Sequence, residues 1–222
     1  MDIWEELSAP CVEGSPRTIR RTNYDHMNTR NLRNLIGVAA TAVLLAACVP
    51  SVHPFYTEKD VVYDARLLGG WQSKGKEEDQ QTWKFERSGE KAYKLLVTEK
   101  GNKHGEFDAH LFKLKDQLFL DLMPAKCEFA EGQADLVAAS IFPGHLLMRV
   151  ARVEPALQLA LMDYDWLAKY LKDNPGSLAH LEEQERLLLT ASTRELQGFV
   201  QQHLGPGELF QAPVEWERSS EP

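Results

Sequence analysis

Short runs of alternating apolar and polar residues, separated by turn residues, are the feature that most constrains the fold of this chain. In the run Gln81 to Arg87, Trp83 and Phe85 fall on one face, while the residues that follow each of them are charged. Successive side chains of a strand point to opposite faces, so this pattern is typical of half-buried strands. Similar runs recur at regular spacing, at Tyr93–Val97, Phe107–Leu111, Leu118–Leu122, Leu146–Val153 and Leu157–Met162. Tight turns between the earlier runs predict an antiparallel meander.

One face of this meander is strongly apolar. If the sheet closes into a barrel, that face becomes the interior. Its side chains have enough surface to line a ligand cavity, but they would equally fill a small barrel. Both alternatives stay open at this point. The candidate ligand-lining residues are Trp83, Phe85, Tyr93, Phe107 and Leu111.

One connection is too long for a simple hairpin. The segment Met123 to Gly144 has 22 residues, and long loops in compact domains tend to be functional. We therefore expect this segment to lie over an open mouth of the barrel, with an apolar ligand entering beneath it.

The last part of the chain predicts helices. Trp166, Leu167, Tyr170 and Leu171 share one face and follow an aspartate that can cap a helix, at position 163 or 165. Ser192 to Glu195 is a capping box for a helix that ends before Gly205-Pro206. Val214 to Glu217 is predicted to be a last edge strand. The expected fold is mainly β (α+β): an antiparallel meander that closes into a barrel, with two or three C-terminal helices, in one domain spanning 67–218.

A turn of helix followed by Gly69-Gly70-Trp71 at the first strand resembles the Gly-x-Trp signature of lipocalins and related calycins. The resemblance implies an eight-stranded barrel whose closed end holds the tryptophan, with a late helix, here Ser192 to Leu204, packed outside. The chain departs from the family in two respects. It lacks a second motif of the Thr-Asp-Tyr type, and predicted helices between Asp163 and Ser177 interrupt the last strands.

The N-terminal part of the chain has the order of a secretory signal. Leu35 to Ala47 is an uncharged apolar stretch of 13 residues, preceded by Arg30 and Arg33. A membrane-spanning helix needs about 20 apolar residues, whereas the core of a signal peptide is shorter. No acidic residue lies between Met27 and Cys48. We expect translation to start at Met27, because residues 1–26 carry mixed charges that do not suit a signal peptide.

The stretch ends in Leu45-Ala46-Ala47-Cys48, which resembles the lipobox of bacterial lipoproteins. The resemblance implies cleavage between Ala47 and Cys48 and fatty acylation of Cys48, as by palmitate. The mature protein would then be anchored by lipid to a bacterial membrane and face the periplasm. Val49 favours the outer membrane, since an aspartate at that position favours inner-membrane retention in enterobacterial lipoproteins. Residues 27–47 are thus the expected signal peptide, and residues 48–66 the expected tether and short helix.

Composition excludes several classes of protein. The chain of 222 residues has a formal net charge of −8, which argues against a nucleic-acid partner. Three cysteines are too few for a disulfide scaffold. Four polar features are candidate sites: His180–Glu185, the group of Asp108, His110 and Asp121, Cys127, and His145. Each is more typical of a surface or packing residue, so the sequence assigns no catalytic residue, metal ligand or cofactor.

The expected function is that of a lipid-anchored envelope protein, more consistent with binding than with catalysis. Its partners would be the membrane, through the lipid on Cys48, and an apolar small molecule or an envelope protein. Two alternatives stay open. One is an envelope hydrolase that uses polar residues at a barrel mouth, and the other is a packed scaffold without a ligand.

Overall fold

The computed structural model describes residues 49–74, 80–99, 103–125, 142–183 and 186–219. These ranges contain eleven strands, two α-helices and a 3-10 helix at Ala65–Leu67. The strands are β1 (Pro50–Ser51), β2 (Gly69–Ser73), β3 (Thr82–Arg87), β4 (Tyr93–Glu99), β5 (Lys103–Leu114), β6 (Gln117–Pro124), β7 (His145–Arg152), β8 (Leu157–Leu161), β9 (His180–Glu183), β10 (Arg186–Leu189) and β11 (Val214–Arg218). The helices are α1 (Tyr164–Asp173) and α2 (Thr193–Gln202).

Eight of these strands close into an antiparallel barrel. Strands β2 to β8 pair in sequence order, and β11 then pairs with both β8 and β2. The predicted fold class, a mainly-β, calycin-like barrel with few helices, is confirmed. The prediction that Val214 to Glu217 forms an edge strand is wrong, because this segment is hydrogen-bonded on both sides and closes the barrel.

The alternation of residues along the strands separates two hydrophobic cores. Inward-facing side chains form the inner core, which includes Trp71, Phe85, Tyr93, Leu95, Leu111, Leu120, Leu157 and Trp216. Outward-facing side chains of β5 to β8 form an outer core with the two helices, which includes Phe112, Phe119, Leu147, Ala160, Leu167, Leu171, Leu196, Phe199 and Val200. Each of these strands therefore has both faces buried over part of its length.

Both helices begin where their capping residues predict. The carboxylate of Asp163 accepts a hydrogen bond from the backbone N–H of Trp166 at 3.0 Å, which starts α1. Ser192 and Glu195 form the predicted capping box at the start of α2. Among the described residues, no helix is both long enough and apolar enough to cross a bilayer.

The first described residues are part of the fold, although the sequence predicted a tether there. Strand β1 pairs with β7 and with β10, which in turn pairs with β9 and forms a small side sheet. Val49 is 2% exposed and Phe55 is fully buried in the outer core. The sequence does not predict this strand, because the segment contains two prolines and its apolar and polar residues do not alternate. Residues 52–64, which we call the strap, then run along the outer wall. They lead from the end of the barrel where β7 begins to the end where β2 begins.

Candidate functional site

One end of the barrel is closed around Trp71. The indole of Trp71 is fully buried, and its Nε1 donates a hydrogen bond to the carbonyl oxygen of Leu67 at 2.8 Å. The guanidinium of Arg218 lies over the same ring, 4.0 Å from its centroid. Gly69 has a φ of +99°, a conformation that glycine adopts without strain. The segment Gly69-Gly70-Trp71 therefore places the Trp71 side chain as a plug in this end of the barrel. The 3-10 helix Ala65–Leu67 lies outside it.

Tyr93 completes this closed end. Its hydroxyl accepts a hydrogen bond from the backbone N–H of Asp64 at 2.7 Å and donates one to the Asp64 carbonyl at 3.1 Å. Burial raises the pKa of the Tyr93 hydroxyl to about 12. Three of the five residues that the sequence proposed as ligand-lining, Phe85, Tyr93 and Leu111, are packed in the inner core with 1% exposure or less.

At the opposite end, the residues that the structure describes leave the barrel open, and this mouth contains a cavity of about 160 Å³. Of the twelve lining residues that the structure describes, ten are apolar. They come from seven strands that surround the mouth, and facing pairs such as Leu122 with Leu146 and Leu159 with Val214 share the wall. The apolar lining consists of Trp83, Val97, Phe107, Leu122, Leu146, Met148, Leu159, Leu161, Val214 and Trp216. Trp83 and Phe107 are thus the two proposed residues that touch the cavity.

The polar groups of this site are few. Gln81, just before β3, and Glu99, the last residue of β4, lie in the lining. The buried Nε1 of Trp83 has no hydrogen-bond partner in the described part of the chain, and its ring lies 4.6 Å from that of Trp216, centroid to centroid. A buried donor without a partner is uncommon in a folded protein. The wall of the cavity therefore contains one unmet hydrogen-bond donor.

The candidate ligand-lining residues named from the sequence include none of the lining residues on β7, β8 and β11. Leu146, Met148, Leu159 and Leu161 follow the same alternation as the earlier strands, so the signal was present. Which residues face each other across the cavity wall depends on closure of the barrel by β11, which places Val214 opposite Leu159. The long segment predicted to cover the mouth joins β6 to β7 at this end, but residues 126–141 lie outside the described part.

A buried polar pair lies on the outer wall, away from the mouth cavity. Asp121 is 1% exposed and accepts hydrogen bonds from His145 Nδ1 at 2.7 Å and from the backbone N–H of Phe55 at 2.9 Å. Beside it, the Tyr56 hydroxyl and His110 Nδ1 are 3.1 Å apart, and their rings are stacked. Burial raises the pKa of the Tyr56 hydroxyl to about 12, and the charge of Asp121 adds to this shift. These contacts hold the strap against the barrel.

The group of Asp108, His110 and Asp121 is therefore divided between two environments. Asp108 is exposed, whereas Asp121 is buried beneath the strap. In the described ranges, no three His, Cys, Asp or Glu side chains are close enough together to hold a metal ion. His180 to Glu183 forms strand β9 on the side sheet, while Ala47, Cys48 and Cys127 lie outside the described residues.

Replacing Asp121 with alanine is expected to lower the free energy of unfolding by about 1–3 kcal/mol, because it leaves a buried backbone N–H and a histidine nitrogen without an acceptor. Urea unfolding followed by circular dichroism measures this change. Asp108→Ala removes a carboxylate from the exposed side of the neighbouring strand and should cost about 0.5 kcal/mol or less. Equal losses in the two variants would refute the role of Asp121 in holding the strap.

The closed end and the apolar mouth together define a calycin-like barrel. No protein-family model, curated protein or solved structure matches the chain.

Proposed function

We propose that the chain is a lipid-anchored protein of the bacterial envelope whose barrel mouth binds the apolar part of a small amphipathic molecule. The observation that carries this proposal is the apolar cavity at the open end of a barrel that is otherwise filled. The lipid anchor rests on the signal sequence and the lipobox at Leu45 to Cys48.

The size of the cavity limits the ligand. Drug-sized ligands occupy pockets of about 300–1,000 Å³, whereas an engineered apolar cavity of about 150 Å³ binds benzene. A cavity of about 160 Å³ therefore suits one ring or a short aliphatic segment. The rest of the molecule would extend past Gln81 and Glu99 towards solvent, which favours a ligand with a polar end.

The arrangement gives less support to the other functions considered. A packed scaffold would leave no cavity at the mouth, and this barrel is packed only in its closed half. A hydrolase at the mouth would need convergent acid, base or nucleophile groups. The polar lining residues that the structure describes are Gln81 and Glu99, a composition that favours binding over hydrolysis.

The proposal is tested with a neutral fluorescent probe, N-phenyl-1-naphthylamine, and the full chain carrying Cys48→Ser, which avoids detergent. We expect saturable fluorescence enhancement with this protein. Leu161→Phe, on the same background, adds volume inside the cavity and should weaken binding at least several-fold. Leu181→Phe makes the same change at a side chain that is 61% exposed and is not part of the cavity lining, and it should bind like the parent.

Two results would contradict a binding function at the mouth. One is a folded parent protein that does not bind the probe. The other is equal weakening by Leu161→Phe and Leu181→Phe, which would place the probe somewhere other than the cavity.

A further inference from the structure

The side sheet continues the wall of the barrel beyond the mouth. Strand β1 pairs with the first two residues of β7, where Pro50 lies opposite Leu146. Strand β10 follows β1 in the sheet, and β9 follows β10. Residues directly opposite one another on neighbouring strands point to the same face of a sheet. Because Leu146 lines the cavity, the face of the side sheet that contains Pro50 continues the cavity wall.

The register of the side sheet places a row of apolar residues on this face. Ser51 pairs with Leu189, so the residues before them, Pro50 and Leu188, are neighbours on the other face of the sheet. Leu188 in turn pairs with Leu181 on β9. The row, which we call the ledge, consists of Leu146, Pro50, Leu188 and Leu181. From its first residue to its last it spans three strand spacings, or about 15 Å.

The two faces of the side sheet differ in burial. Leu187 and Leu189 are 3% and 1% exposed and belong to the outer core. Leu188, which lies between them on β10, is only half-buried. Leu181 is 61% exposed, and it is one of three large hydrophobic side chains that stand exposed among the described residues. The ledge beyond Leu146 therefore presents apolar side chains to solvent instead of to either core.

The ledge begins at the rim of the mouth without a break. A Cβ atom at Gly144 would lie 2.8 Å from the Pro50 Cβ, so the start of β7 and the first strand of the side sheet are in close contact. The backbone N–H of Val52 donates to the Leu189 carbonyl at 2.9 Å, which fixes β1 to the next strand. An apolar surface therefore runs from the cavity wall at Leu146 onto β10 and β9.

The polar groups of the mouth lie on the opposite wall. Strand β7 is four strands away from β3 in either direction around the eight-stranded barrel. Gln81, just before β3, and Glu99, at the end of the neighbouring strand β4, are therefore across the mouth from Leu146. A molecule with its polar end at Gln81 and Glu99 would cross the cavity and reach the ledge with its apolar end.

The shape of the ledge suits a hydrocarbon chain better than a protein. It is a single row of four side chains, whereas a stable protein–protein interface takes about 20–30 residues from each partner. The carboxylate of Glu99 and the amide of Gln81 can both accept hydrogen bonds, and the charge of Glu99 disfavours an anionic group beside it. The two ends of the path therefore match an uncharged, hydroxyl-bearing head and one unbranched chain.

We propose that the ledge is a second subsite of the mouth, and that the ligand is a single-chain amphiphile with an uncharged, hydroxyl-bearing head. The head lies at Gln81 and Glu99, the chain crosses the cavity, and its far end lies along the ledge as far as Leu181. This inference rests on the proposed binding function of the cavity. A methylene on the ledge is covered on one side, so it gains roughly half the free energy of full burial, or about twofold in affinity.

The test uses the full chain carrying Cys48→Ser and a series of n-alkyl maltosides from octyl to tetradecyl, each kept below its micellar concentration. Displacement of N-phenyl-1-naphthylamine measures the Kd of each maltoside. We expect the Kd to fall about twofold for each methylene once the chain is long enough to leave the cavity. The fall should level off when the chain extends past Leu181.

Variants of the ledge locate this gain. Leu181→Ser should weaken binding of tetradecyl maltoside several-fold while octyl maltoside and N-phenyl-1-naphthylamine bind as to the parent. Leu188→Ser should do the same, with an effect that begins at a shorter chain. Glu182→Ser is the matched control, because Glu182 lies next to Leu181 but pairs with Leu187 on the other face. It should keep the whole gain.

The outcomes separate this inference from the function on which it rests. A parent that does not bind N-phenyl-1-naphthylamine would overturn the binding function and the ledge with it. If the probe binds but the Kd does not fall with chain length, or falls equally in Leu181→Ser and Leu188→Ser, only the ledge is overturned. The same holds if Glu182→Ser loses the gain as Leu181→Ser does. A parent that sediments as a dimer, when Leu181→Ser is a monomer, would show that a second copy covers the ledge instead.

Discussion

Replacing Trp71 with alanine is expected to lower the free energy of unfolding by about 3–5 kcal/mol. The substitution empties the largest fully buried side-chain volume of the closed end, and it removes the hydrogen bond to the Leu67 carbonyl. It also removes the ring beneath Arg218. For a chain of this size the melting temperature should fall by roughly 6–20 °C, measured by circular dichroism or calorimetry.

A second tryptophan provides the matched control. Trp166 lies on α1, is only partly buried and stacks on Tyr170 with a centroid distance of 5.0 Å. Trp166→Ala therefore leaves a smaller void and should cost clearly less than Trp71→Ala. A melting temperature unchanged by Trp71→Ala would show that this end of the barrel does not depend on its plug.

Replacing Cys48 with serine is expected to abolish metabolic labelling of the protein by a radioactive fatty acid. Serine has no thiol to accept the diacylglycerol, so the proposed lipoprotein signal would not be processed. The variant should remain as an unprocessed or soluble protein. Fractionation of labelled cells, followed by immunoprecipitation, measures the loss.

The sequence after Cys48 contains one other cysteine, Cys127, which makes a close control. Cys127→Ser removes a thiol outside the lipobox and should leave fatty-acid labelling at the level of the wild type. Persistence of the label in Cys48→Ser would disprove lipidation at this residue, whatever the result for Cys127→Ser.

The strands and helices could be predicted from the sequence because local patterns specify them. Alternation placed Trp83, Phe85 and Tyr93 on the inner face, and capping residues set the start of both helices. The strand at Pro50–Ser51 could not be predicted, since a strand of two residues, one of them proline, shows no alternation. Its pairing depends on β7 and β10, which are distant in the sequence.

The cavity and the buried polar pair needed the folded chain. Whether inward-facing side chains meet or leave a space depends on how their volumes fit, and alternation contains no information about fit. For this reason Phe85 and Phe107, equivalent in the sequence pattern, differ in the structure: one is packed and the other borders the cavity. Asp121 looked like a solvated strand residue because the strap that covers it lies 66 residues earlier in the chain.

Closure of the barrel by β11 has a consequence for how the protein is made. Arg218 bonds the backbone of Leu68, 150 residues earlier, so the first and last strands of the barrel meet only after nearly all of the chain has been synthesised. Until then β2 and β8 each have an unpaired edge, and such edges readily pair with other chains. A newly synthesised copy is therefore most prone to aggregate just before its final strand pairs, and a chaperone that shields strand edges would act in that interval.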